Sequence, residues 1–196
     1  LFKKMKTIGL TGGIGSGKST VSKILLYHNI PVYDSDSKAK KLMNSSNELK
    51  EMIIKYFGKN SYQDNELNKI YISNIIFNNQ IKIDKINSLV HPFVYRDFNN
   101  WKKNITSKYI IFESALIFET GSYKNNDFNI LVVSDLKERI KRVIRRDRVK
   151  EKDVLVRIKN QWNDEKKIPL ADYIFKNNSL MDNREKVIEM IKIINN

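Results

Sequence analysis

An α/β fold built on a doubly wound, five-stranded parallel sheet is predicted by three observations. Five short apolar runs alternate with amphipathic helical stretches, the connections are short outside one helical block, and the first run opens into a glycine-rich loop followed by a helix. A chain of 196 residues suits one domain with a full hydrophobic core that carries an insertion.

The first run, Thr7-Ile8-Gly9-Leu10, is short enough for a buried strand, and Val21, Ile24, Leu25 and His28 fall on one helical face beyond it. Between them, Gly12 to Ser19 matches the pattern G-x-x-x-x-G-K-[ST] residue for residue. Five of the seven glycines lie between Gly9 and Gly17. Such a loop must turn back on itself with positive φ and bring backbone N–H groups against phosphate oxygens, where a Cβ would intrude. The expectation is a P-loop NTPase core. Lys18 reaches the β- and γ-phosphates, Ser19 gives its hydroxyl to Mg²⁺, and the following helix adds its positive end.

Asn29 to Asp36 reads as a second strand that carries Asp34 and Asp36 to its C-terminal end, where open parallel sheets keep their chemistry. One of them can take a proton from a substrate hydroxyl while the other holds metal-bound water; alternatively both cap a helix starting near Ser37. Ser37 to Ser107 is helical in pattern. Leu49, Met52, Ile53, Tyr56 and Phe57 form one face closed by Gly58, a second helix covers about Leu67 to Phe77, and a third Ile83 to Val90. His91-Pro92 opens a fourth segment with Val94, Phe98 and Trp101 inward, and the block reads as a substrate-covering subdomain. His91 is either a structural histidine or part of a site.

Tyr109 to Phe112 is a continuous apolar run, hence a buried strand, and Glu113 at its end either orders Mg²⁺ through water or caps the next turn. Phe128 to Val133 is the fourth strand. Asp135 and Glu138 then open a helix with Ile140, Val143 and Ile144 inward and Arg139, Lys141, Arg142, Arg145, Arg146 and Arg148 crowding the other face. Arginines so concentrated, beside Asp147, suit a lid that clamps phosphates, against the alternative of a solvated basic face. A second lid helix, Asp153 to Asn163, sets Val154, Ile158 and Trp162 on one side and Arg157 with Gln161 on another. Ala171 to Phe175 is the fifth strand, Lys176 to Ser179 a turn, and a last helix from about Asn183 packs back through Val187, Met190 or Ile191, and Ile194.

The formal charge of +14 favours anionic ligands, with most lysines read as solvated surface. There are no cysteines, so disulfides, thiolate metal sites and cysteine nucleophiles are excluded, which suits a reducing cytosol. No apolar run reaches the roughly 20 residues of a membrane span. Met5 is the expected start, with Leu1 to Lys4 a remnant before it, and glycines break up what would otherwise resemble a signal sequence. A guanine switch would show D-x-x-G and N-K-x-D, but no glycine has Asp three before it and Asn68-Lys69-Ile70 is followed by Tyr71. A motor would end a strand in Asp-Glu, where this chain has Glu113-Ser114. A small kinase with an inserted acceptor-binding domain and an arginine-rich lid remains.

Ile8 to Val21, the D-x-D of Asp34 and Asp36, His91-Pro92, Leu116-Ile117-Phe118-Glu119, Arg146-Asp147, Gln161, and Ala171-Asp172 followed by Asn177 together resemble the dephospho-CoA kinase family over nearly the whole chain. The resemblance implies ATP-dependent phosphorylation of the ribose 3′-hydroxyl of dephospho-CoA, the last step of coenzyme A synthesis, in the cytoplasm. It divides the chain into a kinase core at 1–36 and 106–196, with the lid at about 145–168, and a helical dephospho-CoA-binding insertion at 37–105.

Matched position by position, the resemblance makes Asp36 the general base, with Lys18 and Arg146 as the other catalytic groups. Gly13, Gly15, Ser16, Gly17, Lys18, Ser19 and Thr20, with Arg146 and Asn177, would hold ATP, and Ser19 its Mg²⁺. Asp34, Asp36, His91, Lys69 and Glu119 would meet the acceptor. Two departures stand out: Ala115 replaces a frequent Pro, and Lys69 an Arg, so a bidentate phosphate contact is not available there. The implied partners are ATP and dephospho-CoA, with no nucleic acid or membrane, in a monomer or weak homo-oligomer. The alternatives are another small-molecule or nucleotide kinase with the same loop, and a nucleic-acid-binding ATPase.

Overall fold

The computed structural model describes residues 5–76, 79–177 and 180–195. The expectations that touch Leu1 to Lys4, Phe77, and Asn178-Ser179 lie outside the described residues. Two compact units result: Leu1–Asp34 with Thr106–Asn196, and Ser35–Ile105.

Strand β1 (Lys6–Thr11) is buried from Thr7 onward. Helix α1 (Lys18–Tyr27) can start where it does because Gly17 takes a left-handed φ of 99°, and it buries Val21, Ile24 and Leu25. His28, expected on that face, is exposed: it is the residue that ends the helix, its N–H bonding back to Ile24 O and Leu25 O. Strand β2 (Val32–Asp34) is shorter than expected. Asn29 at φ 59° turns the chain out of α1, and a helix already begins at Ser35.

The second unit contains α2 (Ser35–Ser45), α3 (Asn47–Phe57), a hairpin of β3 (Tyr62–Gln63) and β4 (Glu66–Leu67), α4 (Lys69–Ile76) and α5 (Gln80–Lys103). Ser46 caps α3, its Oγ accepting from Leu49 N at 3.3 Å, and Gly58 at φ 89° stops it. Leu49, Ile53 and Phe57 are buried, but Tyr56 is exposed beneath the Lys85 ammonium, 3.6 Å from its ring centroid. The hairpin was not expected from a helical pattern. Its turn is Asp64-Asn65, both at positive φ (49° and 66°), and Lys50 Nζ donates to Asn65 O at 3.0 Å and Oδ1 at 2.7 Å.

The break expected at His91-Pro92 is absent: α5 runs through Pro92. An interior proline costs about 3 kcal/mol. Leu89, Val90, Phe93, Val94 and Phe98 are all buried on that helix, and each such side chain returns about 1.5–3 kcal/mol, so continuity wins.

Back in the first unit come β5 (Tyr109–Glu113), β6 (Phe128–Val133), α6 (Leu136–Asp147), α7 (Glu151–Lys159), α8 (Asp164–Lys167), β7 (Tyr173–Lys176) and α9 (Leu180–Asn195). Asp135 caps α6, Oδ1 accepting from Lys137 N at 2.9 Å and Glu138 N at 3.2 Å. The second lid helix ends at Lys159, so Trp162, expected on its inner side, lies beyond it and is 41 % exposed.

Five strands pair in the order β2-β5-β1-β6-β7, every neighbour parallel. From β1 the chain passes to the edge strand β2 and then returns across the sheet through β5, β6 and β7 in one direction, so right-handed crossovers put α1 on one face and the connections from β5 onward on the other. On one face Ile8, Leu10, Ile111, Ile130, Val132 and Phe175 pack against Val21, Ile24 and Leu25 of α1 and Val187, Met190 and Ile194 of α9. Among the described residues no helix is long and apolar enough to cross a membrane.

Candidate active site

The loop between β1 and α1 is held from outside. Gly15 and Gly17 have φ of 77° and 99°, and a Cβ on Gly15 would strike the Arg139 backbone, one on Gly17 the Asn177 side chain. Ile14 O accepts from Arg139 Nε at 3.1 Å, and Gly15 O and Ser16 O from Arg142 Nη1 at 3.3 and 3.4 Å. Ser16 O also accepts from Asn177 Nδ2 at 2.6 Å, and Asn177 Oδ1 accepts from Asn183 Nδ2 at 2.6 Å, both asparagines being buried. With those carbonyls drawn to the protein side, and with Ile14 N–H and Ser16 N–H given to Gln161 Oε1 and Gly13 O, the amides of Gly13, Gly15 and Gly17 are the loop groups left to meet an anion. The Ser19 amide, in the first turn of α1 ahead of the first intrahelical bonds, joins them. Lys18 folds back, Nζ donating to Gly12 O at 2.9 Å. Ser19 is exposed in the first turn of α1, with Thr20 beside it donating its N–H to Gly17 O at 3.0 Å.

Two carboxylates stand at the C-terminal ends of the strands next to the loop. Asp34 of β2 is in register with Glu113 of β5, and Glu113 with Leu10 of β1. Glu113 is buried, and its Oε2 accepts from Ser22 Oγ at 2.5 Å. The capping alternative for Glu113 falls instead to Ser114, whose Oγ takes Leu116 N at 3.4 Å. Asp36 is not on the strand with Asp34; it is exposed in the first turn of α2, in the other unit. The i, i+2 relation of an extended chain therefore does not apply to the pair.

Among the described residues no group of three or more His, Asp or Glu converges on a point. A magnesium ion here would take most of its oxygens from phosphate and water, with one hydroxyl and one or two carboxylates from the chain; Ser19 on α1 and Asp34 and Glu113 at the ends of β2 and β5 are side chains of those types.

The arginines of α6 divide. Arg139, read from the sequence as part of an outer basic face, is 7 % exposed: it faces the loop, and its Nη1 pairs with Asp164 Oδ2 at 3.3 Å. Arg145 is exposed. Arg146 forms two hydrogen bonds to Asp147, Nε to Oδ1 at 2.7 Å and Nη2 to Oδ2 at 3.1 Å, and Arg157 Nη1 joins Asp147 Oδ2 at 2.7 Å. The Arg146 hydrogen bond, opposed by partial burial and aided by the charges of both arginines, holds the Asp147 carboxyl below its ordinary pKa. Arg146 is correspondingly raised.

Glu119 has partners within its own unit: Oε1 accepts from Trp162 N at 3.1 Å and pairs at 2.7 Å with Lys167 Nζ, which is 0 % exposed. Gln161 Oε1 accepts from Ile14 N at 2.8 Å. In the second unit, His91 is half-buried on α5, and burial pushes its imidazole below the usual pKa. Lys69 opens α4, on the rim of a cavity of about 550 Å³ that Gln63, Asp64, Glu66, Leu67 and Ile70 also line. Asp172 lies before β7, at the other end of the sheet, and its Oδ2 accepts from Asn129 N at 2.7 Å.

Arg139, Arg142, Ser22 and Asn183 were missed as site residues. For two of them the spacing held a signal: Arg139 precedes the buried Val143 by four residues, and Ser22 precedes the buried Leu25 by three, so each shares the inner face of its helix. Asn183 had none.

The model of the dephospho-CoA kinase family matches residues 6–183. A curated dephospho-CoA kinase from Fusobacterium nucleatum is 36% identical over 182 residues, covering 93% of this chain and 94% of its own length. The solved dephospho-CoA kinase from Campylobacter jejuni superposes with a TM-score of 0.66 at 26% identity, covering 96% of each chain. A shikimate kinase from Acinetobacter baumannii shares the fold at 14% identity and a TM-score of 0.53, covering 97% of this chain and 94% of that one.

Proposed function

The chain belongs to the dephospho-CoA kinase family, an ATP-dependent phosphotransferase of coenzyme A biosynthesis, and from that premise we propose how its own residues serve the reaction. The acceptor is the ribose 3′-hydroxyl of dephospho-CoA. Phosphoryl transfer leaves little covalent work to a protein, because a loose transition state needs alignment and charge neutralisation. The loop from Gly13 to Thr20 aligns the triphosphate through those of its amides that have no partner in the protein, and Lys18 leaves Gly12 O for the β- and γ-phosphates. Mg²⁺, held through Ser19 with Asp34 and Glu113 reaching it through water, would add positive charge at the phosphates.

Asp36 orients the acceptor hydroxyl and takes its proton; Asp34, His91, Lys69 and Glu119 are assigned to the acceptor's side of the site. Asn177 fixes the loop on the adenine side. Arg146, released from Asp147 as the lid of about 145–168 closes, reaches the transferring group, and closure keeps water from intercepting it. The insertion at 37–105 is the acceptor-binding part. The enzyme is placed in the cytoplasm as a monomer or weak homo-oligomer, acting on small molecules without nucleic acid or membrane.

The observation that carries this reading is the loop itself, whose carbonyls at Ile14, Gly15 and Ser16 are all occupied by protein donors. Mass-spectrometric detection of coenzyme A from dephospho-CoA, ATP and Mg²⁺ tests it, with nucleoside monophosphates and shikimate as control acceptors. Asp36→Asn should leave ATP affinity nearly intact and cut turnover by about a hundredfold or more; unchanged turnover removes Asp36 from the role.

A further inference from the structure

One peptide segment of the phosphate loop is gripped at both ends by residues that lie far along the chain. Ile14 N donates to Gln161 Oε1 at 2.8 Å, and Ile14 O accepts from Arg139 Nε at 3.1 Å. Arg139 is in turn paired with Asp164 at 3.3 Å, three residues after Gln161. The connections close a ring: Ile14, Gln161, Asp164, Arg139, and back to Ile14. The same stretch is fastened a second time, through Trp162 N and the buried Lys167 ammonium on Glu119. Residues 161–167 are therefore fixed to the sheet unit at four side-chain or backbone points.

We propose that Gln161 and Arg139 are positioning residues for ATP, acting through Ile14: they hold the loop in its phosphate-ready shape without touching the nucleotide. The ring also narrows the part of the lid that can move. The stretch 148–160 lies between Arg148, which leaves α6 at φ 55°, and Asn160, which ends α7. It carries none of these four attachments and is held instead by the exposed Arg157–Asp147 pair and the buried Val154 of α7, so any closure is a movement of α7 and its flanks that exchanges those two contacts, with Gln161 as the C-terminal pivot. A lid swinging about this pivot keeps its hold on the loop throughout.

The chemistry of the grip sets the test. Gln161 serves Ile14 as an acceptor only, so Gln161→Met keeps its length and removes the acceptor, whereas Gln161→Glu keeps an acceptor in place. Arg139 is buried and its replacement can unfold the protein, so Gln161 is the informative position. This inference rests on the loop being the ATP site; titration of the wild-type protein with ADP tests that reading by itself, and the variant-to-wild-type ratio tests the grip.

Expected for Gln161→Met are an ATP KM raised about tenfold with kcat changed less than threefold, since uniform binding is what a loop-shaping contact contributes. The Ile14 amide should exchange with solvent at least tenfold faster by hydrogen-exchange NMR, while the melting temperature stays near that of wild type. Gln161→Glu should recover most of the ATP KM and of the Ile14 protection. An ATP KM within twofold of wild type in Gln161→Met, an Ile14 amide whose exchange does not change, or a Gln161→Glu as impaired as Gln161→Met would each overturn the proposal.

Discussion

The phosphate loop and the Arg146 cluster both involve arginines of α6, yet they are held in opposite ways. The loop's partners lie 125, 127, 147 and 161 residues away and include the buried Arg139 and Asn177. Arg146 is held by Asp147 next to it and shares that carboxylate with Arg157, 10 residues on, both arginines being exposed. A group held by distant buried partners has its geometry settled before any ligand arrives. A group held by exposed neighbours can exchange them for a ligand at little cost, because surface ion pairs contribute only about 0–1 kcal/mol. On the proposed mechanism, preorganisation belongs to the loop and an exchangeable contact to Arg146, which is the division phosphoryl transfer requires.

The sharpest way to break that contrast is to remove the loop's shape. Gly17→Ala puts a side chain at φ 99°, which costs roughly 1–2 kcal/mol for a non-glycine residue, and drives it into the Asn177 amide. Calorimetric titration with ADP should show affinity lowered by about a hundredfold or more, the site's amides no longer converging. Asn177→Leu should come next. It leaves Ser16 O without one of its two donors and Asn183 Nδ2 without its acceptor, and a buried unsatisfied group costs about 1–3 kcal/mol. Both the melting temperature and ADP affinity should fall; a loss of ADP affinity alone would mean that Asn177 touches the nucleotide.

The loop was legible because eight consecutive residues carry its chemistry, and glycine spacing answers directly to backbone shape. What holds the loop was not. Arg142 looks like any basic helix face, the spacing of Arg139 to Val143 places it inward without saying what it holds, and nothing near Ile14 in sequence points to Gln161. The sheet was legible from five apolar runs, whereas helix continuity through Pro92 was not, since it depends on how many apolar side chains α5 buries. The Asp64-Asn65 hairpin did carry a local turn signature, but it was obscured by the helical pattern on either side. Asp36 was read on a strand because Ser35 gives no sign that the chain has already begun to coil.

The smallest expected effect comes from the mobile side of the comparison. Asp147→Asn removes the carboxylate shared by Arg146 and Arg157. Because both arginines are solvent-accessible, stability should change by no more than about 1 kcal/mol. The pH dependence has a definite sign. The arginines hold the folded-state pKa of Asp147 below its unfolded value, so the contribution is fully present above the unfolded pKa and is lost as pH falls through the folded one. Wild type and Asp147→Asn should therefore differ in melting temperature by a constant small amount between pH 5 and 8, a difference that closes only below about pH 4. Kinetics at neutral pH separate the two roles of the pair. If Asp147 merely parks Arg146, the variant's ATP KM should stay within about threefold of wild type, because freeing an exposed arginine changes little. A tenfold loss of kcat would instead place Asp147 among the groups that hold Arg146 in the closed state, and the lid arginine would then be as preorganised as the loop.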